Sequence, residues 1–272
     1  MTAIVLTYHS VNLLGDDYAR NDHVALASDL EALTAAGWEV RPLASLVEAW
    51  LRGELADSAH CAALTFDDGC MLDARDAVHP TLGPQRSFLN LMRDFAEAHP
   101  RAQPRLHATS FVIASPAARA ELDRRDYMSL DWWGDDWWRE AEASGLISIE
   151  SHSWDHNHTS LEHTAMRGPR RFDTLATRDE ARAEIEQAND YIAAVTGRTP
   201  RFFAYPWGQV SPYLAGDYFP NGVATHGLCA AFTTQPAALD SARERWRLPR
   251  FVCGEHWRSA DALGELLASH ST

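Results

Sequence analysis

The chain of 272 residues alternates between short apolar runs and amphipathic stretches. β-rich runs fall at 3–7, 62–66, 109–113, 146–149, 201–205, 228–233 and 248–252, with a weaker one at 38–41. Helical patterns lie between most of them. "SDLEALTAAG" stops on Gly37, and "PLASLVEAWLRG" opens on Pro42 and stops on Gly53, the usual asymmetry of helix start and stop. In "TRDEARAEIEQANDYIAAVTG", Thr177 and Glu180 form a capping box. Ile185, Ile192 and Val195 supply its apolar side, and Gly197 ends it. A last helix after Ser259 carries Leu263, Leu266 and Leu267. No repeat or low-complexity linker interrupts the pattern, so a single domain over 1–272 is expected. Strand–helix alternation predicts an α/β fold with a parallel sheet, open or closed as a barrel. In either form, functional groups gather at the carboxyl ends of the strands.

Polar residues that could carry chemistry follow the apolar runs. "TYHSV" ends the first run on His9. "LTFDDGC" places Asp67 and Asp68 after the second, with Gly69 to turn the chain. Adjacent strand residues point to opposite faces, but where the chain bends both can reach one site. Two neighbouring carboxylates repel unless a cation or a proton separates their roles, so one could ligate a metal while the other serves as a base. "SIESHSWDHNH" then supplies His152, His156 and His158 within seven residues. Histidine is the commonest metal ligand. Two histidines and one aspartate would leave a coordination position open, as in catalytic zinc sites. "FAYPWG" ends another run on a turn.

Composition narrows the partners. The net charge is 24 − 38 = −14, and an acidic surface repels phosphate backbones, so nucleic acid is not an expected partner. Four cysteines without paired metal-type spacing read as reduced thiols. No segment is long and apolar enough to span a bilayer, and no basic-then-apolar leader precedes the first strand. The chain as written is therefore expected to be cytoplasmic, and a trimmed secreted form would look the same. In "DWWGDDWW", Trp132, Trp133, Trp137 and Trp138 span too wide an arc for one buried helical stripe, so a helix there would expose at least one. Core packing is the main expectation for them, with sugar stacking or a subunit contact as alternatives. Cys70 reads as a small core filler.

"TFDDG" (65–69), "HSWDH" (152–156) and "FAYPWG" (203–208), in that order, resemble the polysaccharide deacetylases, carbohydrate esterase family four with its NodB-like domain. The resemblance extends over nearly the whole chain. It implies a distorted, incomplete (β/α) barrel of about seven parallel strands and one divalent metal ion, zinc ahead of cobalt, nickel or iron. It also implies removal of acetyl groups from N-acetylated amino sugars. Carried onto this sequence, it makes Asp67 the catalytic base and Asp68, His152 and His156 the metal ligands. Pro206 and Trp207 become groove wall, and a backbone N–H near Gly69 or Cys70 would face the oxyanion. Two departures stand out. Ala204 occupies the place of an arginine that orients the base, and neither His256 nor His270 fits the family's C-terminal histidine motif. The branch resembling biofilm poly-N-acetylglucosamine deacetylases is permuted, with that motif on the opening strand. "TYHS" fits it, which implies His9 as general acid with Tyr8 beside the substrate. Arg250, in "LPRF", also follows an apolar run and would either replace the missing arginine as partner of Asp67 or make a surface or structural ion pair. Two other readings stay open: a hydrolase of the same fold acting on another amide, C–N bond or O-acetyl ester, and a catalytically silent carbohydrate-binding protein.

Overall fold

All six residues of β1 (Ala3–Tyr8) are buried, as expected of a parallel strand covered on both faces. The computed structural model describes residues 3–55, 60–166, 168–240 and 242–271. After β1 come β2 (Glu39–Val40), β3 (Cys61–Asp68), β4 (Ala77–His79), β5 (Gly83–Gln85) and β6 (Ala108–Val112). β7 (Ile147–Ser151), β8 (Phe202–Ala204), β9 (Ala230–Phe232) and β10 (Phe251–Val252) complete the set. The main sheet runs β10-β1-β3-β6-β7-β8-β9, parallel throughout, and β2 pairs with the start of β3. It curls into a half-barrel. Leu248 bridges to Phe232 on β9, while Phe251 and Val252 pair with Leu6 and Thr7 on β1. The segment 248–252 thus draws the two edges together. This is the distorted, incomplete barrel expected from the sequence.

Strand parity sorts the side chains. Ala3 and Val5 of β1, and Cys61 and Ala63 of β3, pack in one core with Phe111, Ala204 and Phe232. Ile4, Leu6 and Tyr8, with Ala62, Leu64 and Phe66, pack on the opposite face in another. That second face is covered by α1 (Asp22–Ala35) and α3 (Phe88–Ala98), while α2 (Leu43–Leu51) closes the first core. Continuing the inward rows, 3-5-7-9 and 61-63-65-67, brings Thr7, His9, Thr65 and Asp67 to the mouth. The Thr7 and Thr65 hydroxyls meet there at 2.9 Å.

The helix signals mostly hold. α1 begins earlier than the apolar pattern indicated, because Asn21 caps it by accepting the His23 N–H. The Thr177–Glu180 capping box is formed and Gly197 ends its helix in the left-handed region. α4 (Pro116–Asp126) and α5 (Trp138–Ala143) complete the layer between β6 and β7. The tryptophan run is irregular up to Trp138, so the helical arc does not apply. Trp133, Trp137 and Trp138 are buried and Trp132 is half-buried.

Candidate active site

β3 delivers the two carboxylates. Asp68 adopts a left-handed backbone (φ 76) and Gly69 follows at φ 80. The break in extended geometry lets adjacent side chains reach the same cleft. Gly69 itself is buried and does not line the cleft; a Cβ there would lie 2.6 Å from Val112. Its absent side chain permits close packing of β3 on β6, a correction to the reading of Gly69 as a substrate contact.

β7 and the loop after it deliver the imidazoles. His152 Nδ1 lies 2.8 Å from the Ala204 carbonyl, so it carries the proton and Nε2 is left with its lone pair. That Nε2 is 3.6 Å from Asp68 Oδ1, and His156 Nε2 is 3.7 Å from the same oxygen. These separations are too long for hydrogen bonds. Ligand atoms on a tetrahedral ion with bonds of about 2.0–2.1 Å sit roughly 3.4 Å apart. The three donor atoms lie within 4.8 Å of one another. Two free imidazole nitrogens and one carboxylate oxygen therefore fit a divalent cation. Burial and the neighbouring imidazoles hold His156 far below the usual histidine range, the unprotonated form a ligand needs.

Asp67 is almost fully buried beside this cluster, its Oδ2 3.9 Å from His152 Nε2. Arg250, fully buried, donates to both its oxygens at 2.7 Å, and also to Thr65 Oγ1 and the Thr233 carbonyl. Burial would lift the Asp67 pKa, but the Arg250 charge outweighs it and holds it at about 2. Arg250 thus reaches from the closing segment to Asp67, while the Ala204 side chain packs in the inner core. His9 lines the same cleft. Its N–H donates to Asp22 Oδ2 at 2.7 Å, and its Nδ1 is buried without a hydrogen-bond partner among the described residues.

The cleft holds roughly 490 Å³. Trp207, half-exposed, forms one wall, edge-on to His156 and tilted over His158. Tyr127 and Trp133 pair at 4.9 Å on the lining as well. Trp207 is itself left-handed (φ 57), and Gly208 beside it is pressed on Thr234. Every non-glycine residue with positive φ among the described residues belongs to the segments framing this cleft: Asp68, Met128, Ser129, Asp131, Ser153, His156, Asn157 and Trp207. Backbone strain of this kind persists where surrounding structure enforces it and clusters at functional sites.

Two expected contacts are displaced. Tyr8 has outward parity; it is buried, donates to Asp29 at 2.9 Å, and packs on Phe88 and Trp257. Pro206 is buried behind Trp207 and does not line the cleft. Conversely, Asp22, Tyr127, Trp133 and His158 line it without having been singled out as site residues. His158 was visible in the histidine run. Trp133 was visible in the tryptophan run, with sugar stacking as an alternative to core packing, whereas Asp22 and Tyr127 follow no apolar strand and carried no signal.

An α/β half-barrel with an Asp-Asp pair and two histidines at the strand ends defines the class. Residues 102–222 match the family model for polysaccharide deacetylase, a span that includes the motifs at 152–156 and 203–208. Three solved structures share the fold over nearly the whole chain. IcaB from Ammonifex degensii is 17% identical with TM-score 0.63, covering 100% of this chain and 97% of its own. PplD from Streptococcus pyogenes, solved with acetate, is 17% identical with TM-score 0.63, covering 98% of each chain. A de-N-acetylase from Aggregatibacter actinomycetemcomitans is 18% identical with TM-score 0.62, covering 97% of this chain and 100% of its own. No curated protein matches the sequence.

Proposed function

We propose that this protein is a metal-dependent hydrolase that removes acetyl groups from N-acetylated amino sugars, in oligomeric or polymeric form. The observation that carries the reading is the Asp68–His152–His156 cluster with the Arg250-bound Asp67 beside it. The polysaccharide deacetylase match, and neighbours named as a de-N-acetylase or solved with acetate, support it.

Asp68, His152 and His156 would hold the ion, with zinc the expected metal from the N2O donor set. Bound there, a divalent ion supplies Lewis acidity to an acyl oxygen and lowers the pKa of water toward about 7. Asp67 stays ionised because Arg250 pairs with it, and accepts the proton of the attacking water. A carboxylate held at about 2 is a weak base, so this transfer depends on an acidified water. Arg250 also fixes the carboxylate orientation, since both oxygens are gripped in one plane. His9, on the cleft lining, protonates the departing nitrogen, because an amide anion leaves too slowly unassisted. Trp207, Tyr127 and Trp133 give the sugar apolar faces to pack on.

The deciding experiment measures acetate released from chitooligosaccharides by zinc-loaded protein, with and without chelator. Chelator-sensitive, zinc-restored release is expected. Loaded protein that binds the sugar without releasing acetate would leave the silent carbohydrate-binding reading in its place.

A further inference from the structure

The loop bearing the two histidines is a strained turn, with Ser153, His156 and Asn157 all left-handed. Its polar backbone groups are nevertheless tied at both ends. The carbonyls of Ser153 and Trp154 accept N–H groups of Ala114 and Ser115, beyond the end of β6. The amides of Trp154 and Asp155 point the other way, at 3.2 and 3.4 Å from Glu184 Oε2. Asp155 then accepts from the Asn157 and Ala165 amides, and Ser153 Oγ from the His156 amide.

Glu184 is fully buried and sits in a π-helical turn, Arg182–Glu186, between helical segments α6 (Arg178–Ala181) and α7 (Gln187–Thr196). A π turn interrupts regular helix bonding and recurs at functional sites. The side chain it holds here reaches the loop of the metal ligands. His152 is braced through its ring by the Ala204 carbonyl. His156 is not: its Nδ1 is buried with no partner among the described residues. A ligating histidine ordinarily uses its second nitrogen to fix its aim. For His156, the backbone of the turn does that work.

We infer that Glu184 is a positioning residue for the cation site: by accepting the amide hydrogens of Trp154 and Asp155, it fixes the turn that aims His156 at Asp68. The inference rests on the reading of Asp68, His152 and His156 as metal ligands. Burial, then the charge of Asp155, pushes Glu184 well above the usual carboxylic range. One oxygen, Oε2, accepts from the loop, and the other, Oε1, has no hydrogen-bond partner among the described residues. Glutamine has the same shape and the same acceptor.

The test is zinc affinity, measured by competition with a chromogenic chelator on metal-stripped protein, alongside the zinc-induced rise in Tm. Glu184→Met fills the space without an acceptor and is expected to weaken zinc binding about 10–100-fold, as loss of outer ligand support does. Glu184→Gln is expected to bind within about threefold of wild type on the same reasoning. Glu184→Asp keeps an acid but withdraws it from the amides, and should also weaken binding; it serves if the methionine variant does not fold. Zinc affinity unchanged in the folded Met and Asp variants overturns the inference, as does a glutamine variant as weak as methionine. Wild-type protein that takes up no zinc overturns the metal-site reading as well.

Discussion

Arg250 grips Asp67 through two hydrogen bonds of 2.7 Å, although 183 residues separate them in sequence. Both side chains are buried, so each charge relies chiefly on the other, with Thr65 Oγ1 and the Thr233 carbonyl also accepting from the guanidinium. Removing one partner of such a pair costs about 3–5 kcal/mol, because the survivor is left buried and unpaired. Arg250→Met should lower stability by that order and reduce turnover as well. Arg250→Lys should recover little of either, since an ammonium cannot make the planar double contact. Chemical denaturation and acetate-release assays on the same preparations check both statements.

Asp67→Asn separates chemistry from metal holding. The amide keeps the size of the side chain but cannot take a proton. Turnover is expected to fall about 10²–10⁴-fold, with zinc affinity close to wild type. Wild-type turnover in this variant would remove Asp67 from the mechanism.

His158 stands in the same run as the ligands but does not join them. Its Nδ1 accepts the Ser160 N–H at 3.1 Å, and its ring tilts over Trp207. His158→Phe should leave zinc affinity within about threefold of wild type, whereas His152→Ala or His156→Ala should lower it by at least about 10–100-fold. A comparable zinc loss on His158→Phe would place that imidazole among the ligands.

Gly208→Ala tests the wall. Position 208 has φ +64, and an added Cβ would fall 2.1 Å from Thr234 Oγ1 and 2.9 Å from its backbone nitrogen. A cost of about 1–3 kcal/mol is expected from strain and displacement, together with a raised KM as Trp207 moves. Adding Thr234→Ala removes the hydroxyl but not the backbone contact or the positive φ, so rescue should be partial. Thermal melts and KM values for the single and double variants decide it.

The pH dependence of stability carries a distinct signature from Asp29, beneath β1. Burial raises its pKa to about 6 despite hydrogen bonds from Tyr18, Trp257 and Tyr8. An unfolded aspartate titrates near about 3.9. Between these values the folded state holds the extra proton, so this group stabilises the fold fully below about pH 4. Its contribution fades as pH rises through about 6 and stays absent above. The size is on the order of 3 kcal/mol. Asp29→Asn should flatten that part of the profile, measured as denaturation midpoint from pH 4 to 7. An unchanged slope would show that Asp29 does not titrate in this range.

What the sequence disclosed depended on whether chemistry sat on a strand. His9, Asp67, Asp68 and His152 each follow a short apolar, β-rich run, so the strand pattern located them. The inward rows through Val5 and Ala63 carry His9 and Asp67 to the mouth and send Tyr8 the other way. Tyr8 was misplaced because adjacency in sequence was read as adjacency in space. Tyr127 escaped notice, and Trp133 was read chiefly as core, because they lie on irregular backbone whose course is set by tertiary packing. Glu184 could not be seen from the amphipathic pattern: the helix carries an expected cap and an expected stop, and the π turn between them leaves no mark on composition.

The pairing of segment 248–252 with both β9 and β1 has a consequence for biosynthesis. A ribosome delivers His9 first and the aspartates next, yet the guanidinium that grips Asp67 emerges 183 residues after it. Until then Asp67 has no counter-charge and the opening strand has one bare edge. The Arg250–Asp67 pair therefore forms late, as a contact that no fragment ending before Arg250 can make.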